Sequence, residues 1–154
     1  MAVVPSELEE LSSDLVVYAA RLVRAVRRLH EQPAAIRVLA LLDELGPTTV
    51  SALARADRCA QPTMSLAVAR LMESGEVTKT GDPADARRTV ITLTARGRRT
   101  LASARRVSGV SVAQRLAEHD THSFEDIATA VAVLRDLVDP APTTTRDFRE
   151  RATL

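Results

Sequence analysis

Apolar residues recur at spacings of three and four near the start of the chain, as Leu8, Leu11, Leu15, Tyr18, Leu22, Val26 and Leu29. That period predicts a long amphipathic helix over about 7–30. Ser6, with Glu9 three residues on, reads as a capping box that opens it. A second helix starts at Pro33, carries Ile36, Val38, Leu39, Leu42 and Leu45, and stops at Gly46-Pro47. Thr48 or Thr49 then caps a short helix from Val50 to about Arg55 or Ala56. After a loop through Asp57-Arg58-Cys59, Pro62 marks the first turn of a fourth helix. Met64, Ala67, Val68 and Leu71 form its apolar face, and Gly75 ends it.

The period then changes to two. Residues 76–80 (EVTKT) and 88–94 (RTVITLT) read as strands of a hairpin, with Ile91 and Leu93 on one face and Asp82-Pro83 turning between them. Thr94 is suited to N-cap a second long helix, about 95–117, in which Gly109 marks a bend. A last helix, about 123–138, is capped by Ser123 and carries Phe124, Ile127, Val131, Leu134 and Val138 on one side. Asp139-Pro140 stops it. Residues 140–154 have little apolar content and read as a loosely attached tail. The fold class is mainly α (α+β), and the whole chain, 1–154, reads as one domain.

Composition sharpens this picture. Aromatics make up only 2% of the 154 residues, so the core must be built from Ala, Val, Leu and Ile. No apolar run is long enough to span a bilayer. The start, MAVVPSELEE, has neither a basic n-region nor an apolar h-region, so no signal peptide is expected and the compartment reads as cytoplasmic. The single cysteine, Cys59, excludes an internal disulfide and a cysteine-cluster metal site. His30, His119 and His122 lack a zinc-binding pattern, and the last two read as solvated surface residues. No metal or cofactor is expected. A Gly-rich phosphate loop, a nucleophile elbow and a converging His–carboxylate set are all missing from the pattern, so the reading is not an enzyme.

Charge separates along the chain. The net charge is only +1, yet Gly75–Arg106 carries eight basic residues against three carboxylates, a local +5. Both ends are acidic. A polyanion-binding surface requires such an asymmetry. For Arg96–Arg106 the competing reading is a plainly solvated helix face.

Two short helices joined by a tight loop and followed by a charged hairpin describe a winged helix-turn-helix. The second helix of the pair would lie in the major groove of double-stranded DNA. With Met64, Ala67, Val68 and Leu71 turned inward, Pro62, Thr63, Ser65, Leu66, Ala69, Arg70 and Glu73 point outward or sideways. The hairpin becomes a wing whose tip, GDPADARRTVITLT, brings Arg87 and Arg88 to a neighbouring minor groove. Asp82 helps make the turn, and Asp85 orients a guanidinium or bonds turn amides. The competing reading of Asp85 and Arg87 is an exposed ion pair of little energetic value.

DPADARRTVITLTARGR resembles the wing signature of the MarR-type regulators, roughly D-P-x-D-x-R-x-x-x-x-x-L-T-x-x-G-R. GPTTVSALAR and QPTMSLAVARLMESGEV are similar to the third and fourth helices of that family. The resemblance covers about residues 5–139. It implies a homodimeric transcriptional regulator, a repressor on a palindromic operator, with residues 33–94 as the winged lobe and 6–30 and 95–139 as dimerisation helices. It places the wing's DNA-contacting arginine at Arg87, with Arg88 beside it, and the groove-reading positions at Gln61, Thr63, Ser65 and Leu66. It further implies a pocket for a small apolar or aromatic effector between the first, second and fifth helices, where His30 and Arg37 are weak candidate polar anchors, a solvated role being the favoured reading of each. Three positions depart from the family pattern. Ala60 stands for a capping residue, Leu66 for a polar or basic one, and Ala86 for the first arginine after Asp85.

Two further readings stay in view. Cys59 is either a small residue packed on the core or a redox-sensing thiol, which would need a lowered pKa. The winged helix itself could be a protein-interaction module with weak or lost DNA binding, with Leu66 in a hydrophobic contact.

Overall fold

The computed structural model describes residues 5–31, 33–82, 85–119 and 121–139, and of residues 82 and 85–88 the backbone only. The expected tail, 140–154, and the side chains of Asp82, Asp85, Arg87 and Arg88 lie outside the described residues. The elements are α1 (Ser6–Arg27), α2 (Pro33–Leu45), α3 (Val50–Ala56), α4 (Gln61–Glu73), β1 (Val77–Asp82), β2 (Asp85–Leu93), α5 (Ala95–His119) and α6 (Phe124–Val138). The expected order of elements is therefore present, and the mainly α architecture with a two-stranded antiparallel sheet holds. The chain divides into two compact units, Met1–Val112 and Ala113–Leu154.

In the first unit one core joins α2, α3, α4, the hairpin and the start of α5. Leu39, Leu53, Met64, Leu71 and Ile91 are its most deeply buried large side chains. Of the α4 residues expected to face inward, Met64, Val68 and Leu71 are buried and Ala67 is half-buried. On β2, Ile91 and Leu93 face the core as the alternation predicted, while Val90 is buried outside that cluster. Thr49 is the residue that caps α3, accepting a bond from the Ala52 amide at 3.2 Å. Thr48 instead pairs with Ile91 in both directions (3.1 and 2.7 Å) and adds a one-residue third strand to the sheet.

The expected capping box at Ser6 does not form. Pro5 is the N-cap, in extended backbone (φ −61°, ψ 140°), and Ser6 is already helical. The fixed proline φ places the chain entry one residue earlier than the serine suggested. The cap expected at Ser123 does form, and it is a full capping box. Its hydroxyl accepts from the Asp126 amide at 3.1 Å, and the Asp126 carboxylate accepts from the Ser123 amide at 2.8 Å. That amide bond, then the Ser123 hydroxyl, holds the Asp126 carboxyl below the usual carboxylate range. The helix α5 runs to His119, two residues beyond expectation.

The hairpin is fixed to the helices at its base. At Gly75 (φ 72°) the chain leaves α4 in the left-handed region, and the Glu76 amide reaches back to the Leu71 carbonyl at 2.8 Å. The Thr94 hydroxyl donates toward the carbonyls of Gly75 (2.8 Å) and Glu76 (3.0 Å) and accepts from the Gly97 amide (3.1 Å). The Thr94 amide also donates to the Glu76 carbonyl at 3.1 Å. One threonine thus caps α5 and ties it to the end of α4. The helix comes so close there that a β-carbon on Gly97 would overlap the Glu76 carbonyl oxygen and meet its carbon at 3.0 Å.

Gly97→Ala is therefore expected to lose about 1–3 kcal/mol of stability, because the overlap is with backbone that cannot step aside. Gly109→Ala, in the same helix but facing open space, should gain about 1 kcal/mol from helix propensity. Urea unfolding of the two variants measures both, and equal effects would refute the packing argument.

Candidate nucleic-acid interface

Helices α3 and α4 meet at a turn with an unusual residue. Arg58 has φ 53°, the one non-glycine in the left-handed region among the described residues. Its amide bonds to Arg55 (3.2 Å) and the next amide, of Cys59, to Ala54 (3.0 Å). This is the bonding of a glycine-terminated helix, with arginine at the strained position. Beside it, the Asp57 carboxylate is nearly buried and pairs with the Arg37 guanidinium of α2. This pair anchors the turn to α2 and so fixes the start of α4.

The outer face of α4 is open. Gln61, Pro62, Thr63, Ser65, Leu66, Ala69, Arg70 and Glu73 are all exposed, Leu66 to 55%. The outward assignment made from periodicity agrees with this. Ala60 is the N-cap and supplies no side-chain bond, and no acidic residue stands in the first turn. The positive end of the helix dipole is therefore left without a side-chain cap or a carboxylate at the helix start. Arg55 and Arg58 are exposed on the preceding turn, and Arg96, Arg98 and Arg99 on the first turns of α5.

The hairpin ladder is regular from Val77–Leu93 to Gly81–Thr89, then jumps to Asp82–Asp85. Ala86, Arg87 and Arg88 thus sit in a bulge of β2 with no partner on β1 among the described residues. The strands run longer than the expected 76–80 and 88–94, and the bulge was not foreseen. The candidate wing arginines lie in this backbone, while their side chains lie outside the described residues.

Sequence reasoning missed both the Arg37–Asp57 pair and the strain at Arg58. The pair spans 20 positions and leaves no local signal, and a left-handed arginine carries no glycine to advertise it. Cys59 packs half-buried against the core. Burial raises its thiol above the ordinary range, and the Asp57 carboxylate, which takes its hydrogen bond, raises it further. This is the reverse of what a reactive thiolate needs.

A cavity of about 350 Å³ opens between α1, α2 and α5. Its walls are mostly apolar, with Leu22, Val26, Ile36 and Val112 among them, and its polar groups include His30, Arg37 and Ser108. The imidazole Nε2 of His30 lies 3.0 Å from the Ser108 hydroxyl. A larger opening of about 620 Å³ lies between the start of α2 and the C-terminal half of α4, and its walls mix Ala34, Ala35, Ala67 and Leu71 with Glu31, Arg70, Glu73 and Glu76.

The model of the MarR family matches residues 32–89. HTH-type transcriptional regulators of Mycobacterium bovis and Mycobacterium tuberculosis are each 30% identical over 136 residues, 86% of this chain and 95% of theirs. Among solved structures, a Pseudomonas aeruginosa protein described as a transcriptional regulator superposes with a TM-score of 0.73 at 22% identity, covering 90% of this chain and all of that one. A MarR family protein from Bacillus stearothermophilus gives 0.66 at 25% identity, covering 89% and 96%. Apo MarR of Escherichia coli gives 0.62 at 18%, covering 90% and 99%.

Two outcomes follow from the turn. Arg58→Gly should raise stability by about 0.5–1 kcal/mol, since relief of left-handed strain outweighs the entropy glycine adds to the unfolded chain. Urea unfolding reads this. Iodoacetamide should alkylate Cys59 in the native protein more slowly at neutral pH than it does a free cysteine, with the rate rising only above the ordinary thiol range. Fast neutral labelling would restore the redox reading.

Proposed function

The chain belongs to the MarR family, and we propose that it acts as a homodimeric transcriptional repressor on a palindromic operator, released or retained by a small apolar or aromatic effector. The observation that carries the DNA-binding part is the outer face of α4. It is exposed along its length, backed by a buried face on the common core, and set beside a segment of net charge +5. In this reading Gln61, Thr63, Ser65, Leu66 and Arg70 meet the major groove, while Arg87 and Arg88 meet phosphates or the minor groove from the wing. Asp82 and Asp85 shape the wing tip. The basic segment favours DNA over the alternative of a protein-interaction module with lost DNA binding.

Dimerisation is supported by two helices in which no residue is fully buried within the chain. In α1, Leu11, Tyr18 and Leu22 are exposed by 68%, 61% and 48%, and no residue is buried. In α6 the same holds, with Phe124 exposed by 87%. Faces of that size on a soluble chain call for a partner. A two-fold pairing would also set two recognition helices about 34 Å apart, one turn of B-DNA. In this reading residues 6–30 and 95–139 make the interface and 33–94 the DNA-binding lobe.

The effector reading rests on the α1–α2–α5 cavity. Arg37 lies on its wall and also holds Asp57 in the turn before α4. An occupant that draws the guanidinium away would leave a nearly buried carboxylate unpaired, which costs several kcal/mol unless the turn moves. His30 is the second polar anchor. Among the described residues no helix is long and apolar enough to cross a membrane.

Changing Arg87 and Arg88 together to Ala is expected to weaken binding to operator and to unrelated DNA by similar factors. The slope of log K against log salt should fall by about 0.9 for each phosphate that the variant leaves unneutralised. Gln61→Ala should weaken operator binding more than random DNA and leave that slope nearly unchanged. A folded double-arginine variant with native affinity and slope would mean that the wing does not touch DNA. Light scattering at micromolar concentration should return twice the 16.7 kDa chain mass, and a monomer would remove the two-fold arrangement.

A further inference from the structure

The line of α4 that points straight away from the core is not polar. With 100° per residue, Pro62, Leu66, Ala69 and Glu73 fall within about 30° of the direction opposite Met64, Ala67, Val68 and Leu71. The groups able to read hydrogen-bonding base edges stand to the sides, Gln61 and Ser65 on one flank and Thr63 and Arg70 on the other. Glu73 ends the line, and its carboxylate is repelled by phosphate, so the helix must enter a groove by its first two turns. Leu66 lies in the second of these, half exposed, at the centre of the approach.

A leucine pressed onto base edges covers donors and acceptors and gives them nothing in return, a cost in any desolvated contact. One feature of the major groove escapes that cost, the C5 methyl group of a pyrimidine, which is apolar and protrudes into the groove. We propose that Leu66 is a specificity-determining residue that selects pyrimidine C5 methyl groups in the half-site, in the ordinary case those of thymine. This rests on the reading of α4 as the DNA-recognition helix and adds what its central contact reads. Ala69, one turn further along the same line, carries a short methyl that leaves room for Leu66 to make that contact.

The same methyl occurs on thymine and on 5-methylcytosine, and the test separates them. Duplexes are enriched on the full-length protein from a random library, and each thymine of the enriched site is then replaced in turn by deoxyuridine, which removes the methyl and nothing else. The wild-type protein should bind about four-fold more weakly when the methyl at the Leu66 contact is removed, the value of one buried methyl group. Leu66→Ala should show no difference between thymine and uracil at that position while still binding DNA, and its melting temperature should match the wild type because the side chain is exposed. Placing cytosine at the same position should weaken binding, and 5-methylcytosine should recover the methyl part of the loss if the methyl alone is read. No recovery would restrict the site to thymine. If every thymine-to-uracil change left wild-type affinity unaltered, or if Leu66→Ala kept the full penalty, the inference would fall while DNA binding stood. If no duplex were enriched at all, the recognition-helix reading itself would fall.

Discussion

The geometry of this protein depends on a contact with no room in it. The first turn of α5 lies against the carbonyl of Glu76, where only the missing β-carbon of Gly97 permits the approach. Thr94 holds both sides of that contact, with its hydroxyl and amide on the carbonyls of the Gly75–Glu76 link between α4 and β1 and its oxygen on the Gly97 amide. Helix, hairpin and long helix are therefore joined through the Thr94–Glu76 backbone bond and one short β-branched side chain, whose hydroxyl is held by three bonds at once. A longer side chain at the same place would let the hairpin swing. The attitude of the wing relative to α4 follows from this joint, and with it the spacing of any two DNA contacts they make.

A second anchor works at the other end of α4. The Arg37–Asp57 pair holds a turn that is already strained at Arg58. Helix α4 is thus held by a rigid joint at its C-terminal end and by an ion pair over a strained turn at its N-terminal end. The two differ in kind. Backbone hydrogen bonds at a close approach resist change, whereas an ion pair beside a cavity can be altered by whatever enters that cavity. The N-terminal end of α4 is the more easily disturbed of the two.

How much of this was legible in the sequence depended on whether the cause was local. Pro33, Pro62, Gly46 and Gly75 end or begin helices through their own backbone preferences, and the positions they mark agree with the structure. The inward face of α4 follows from period alone. Ser6 misled because the adjacent Pro5 took the cap. The need for glycine at 97 was hidden, since its reason lies 21 positions away, although the spacing of Thr94 and Gly97 within the wing signature was the available trace. The Arg37–Asp57 pair and the left-handed Arg58 left no trace. At the wing, charge and turn residues announced a hairpin, but the jump in pairing that sets Arg87 and Arg88 in a bulge belongs to the register, which a sequence reports poorly near a turn. The dimer, the operator contacts and the effector remain arguments from exposed faces and from family membership.

The jump in register also divides the hairpin into two parts with different freedoms. Below it, five pairs from Val77–Leu93 to Gly81–Thr89 are tied to the core through Val77, Ile91 and Leu93. Above it, Asp82 and the backbone of 85–88 no longer keep the register of the pairs beneath, because the ladder has already broken step. Insertions and deletions that would flip every side chain of an unbroken strand to the opposite face are absorbed at the break. The length of the arm can therefore change while the platform that carries it keeps its register.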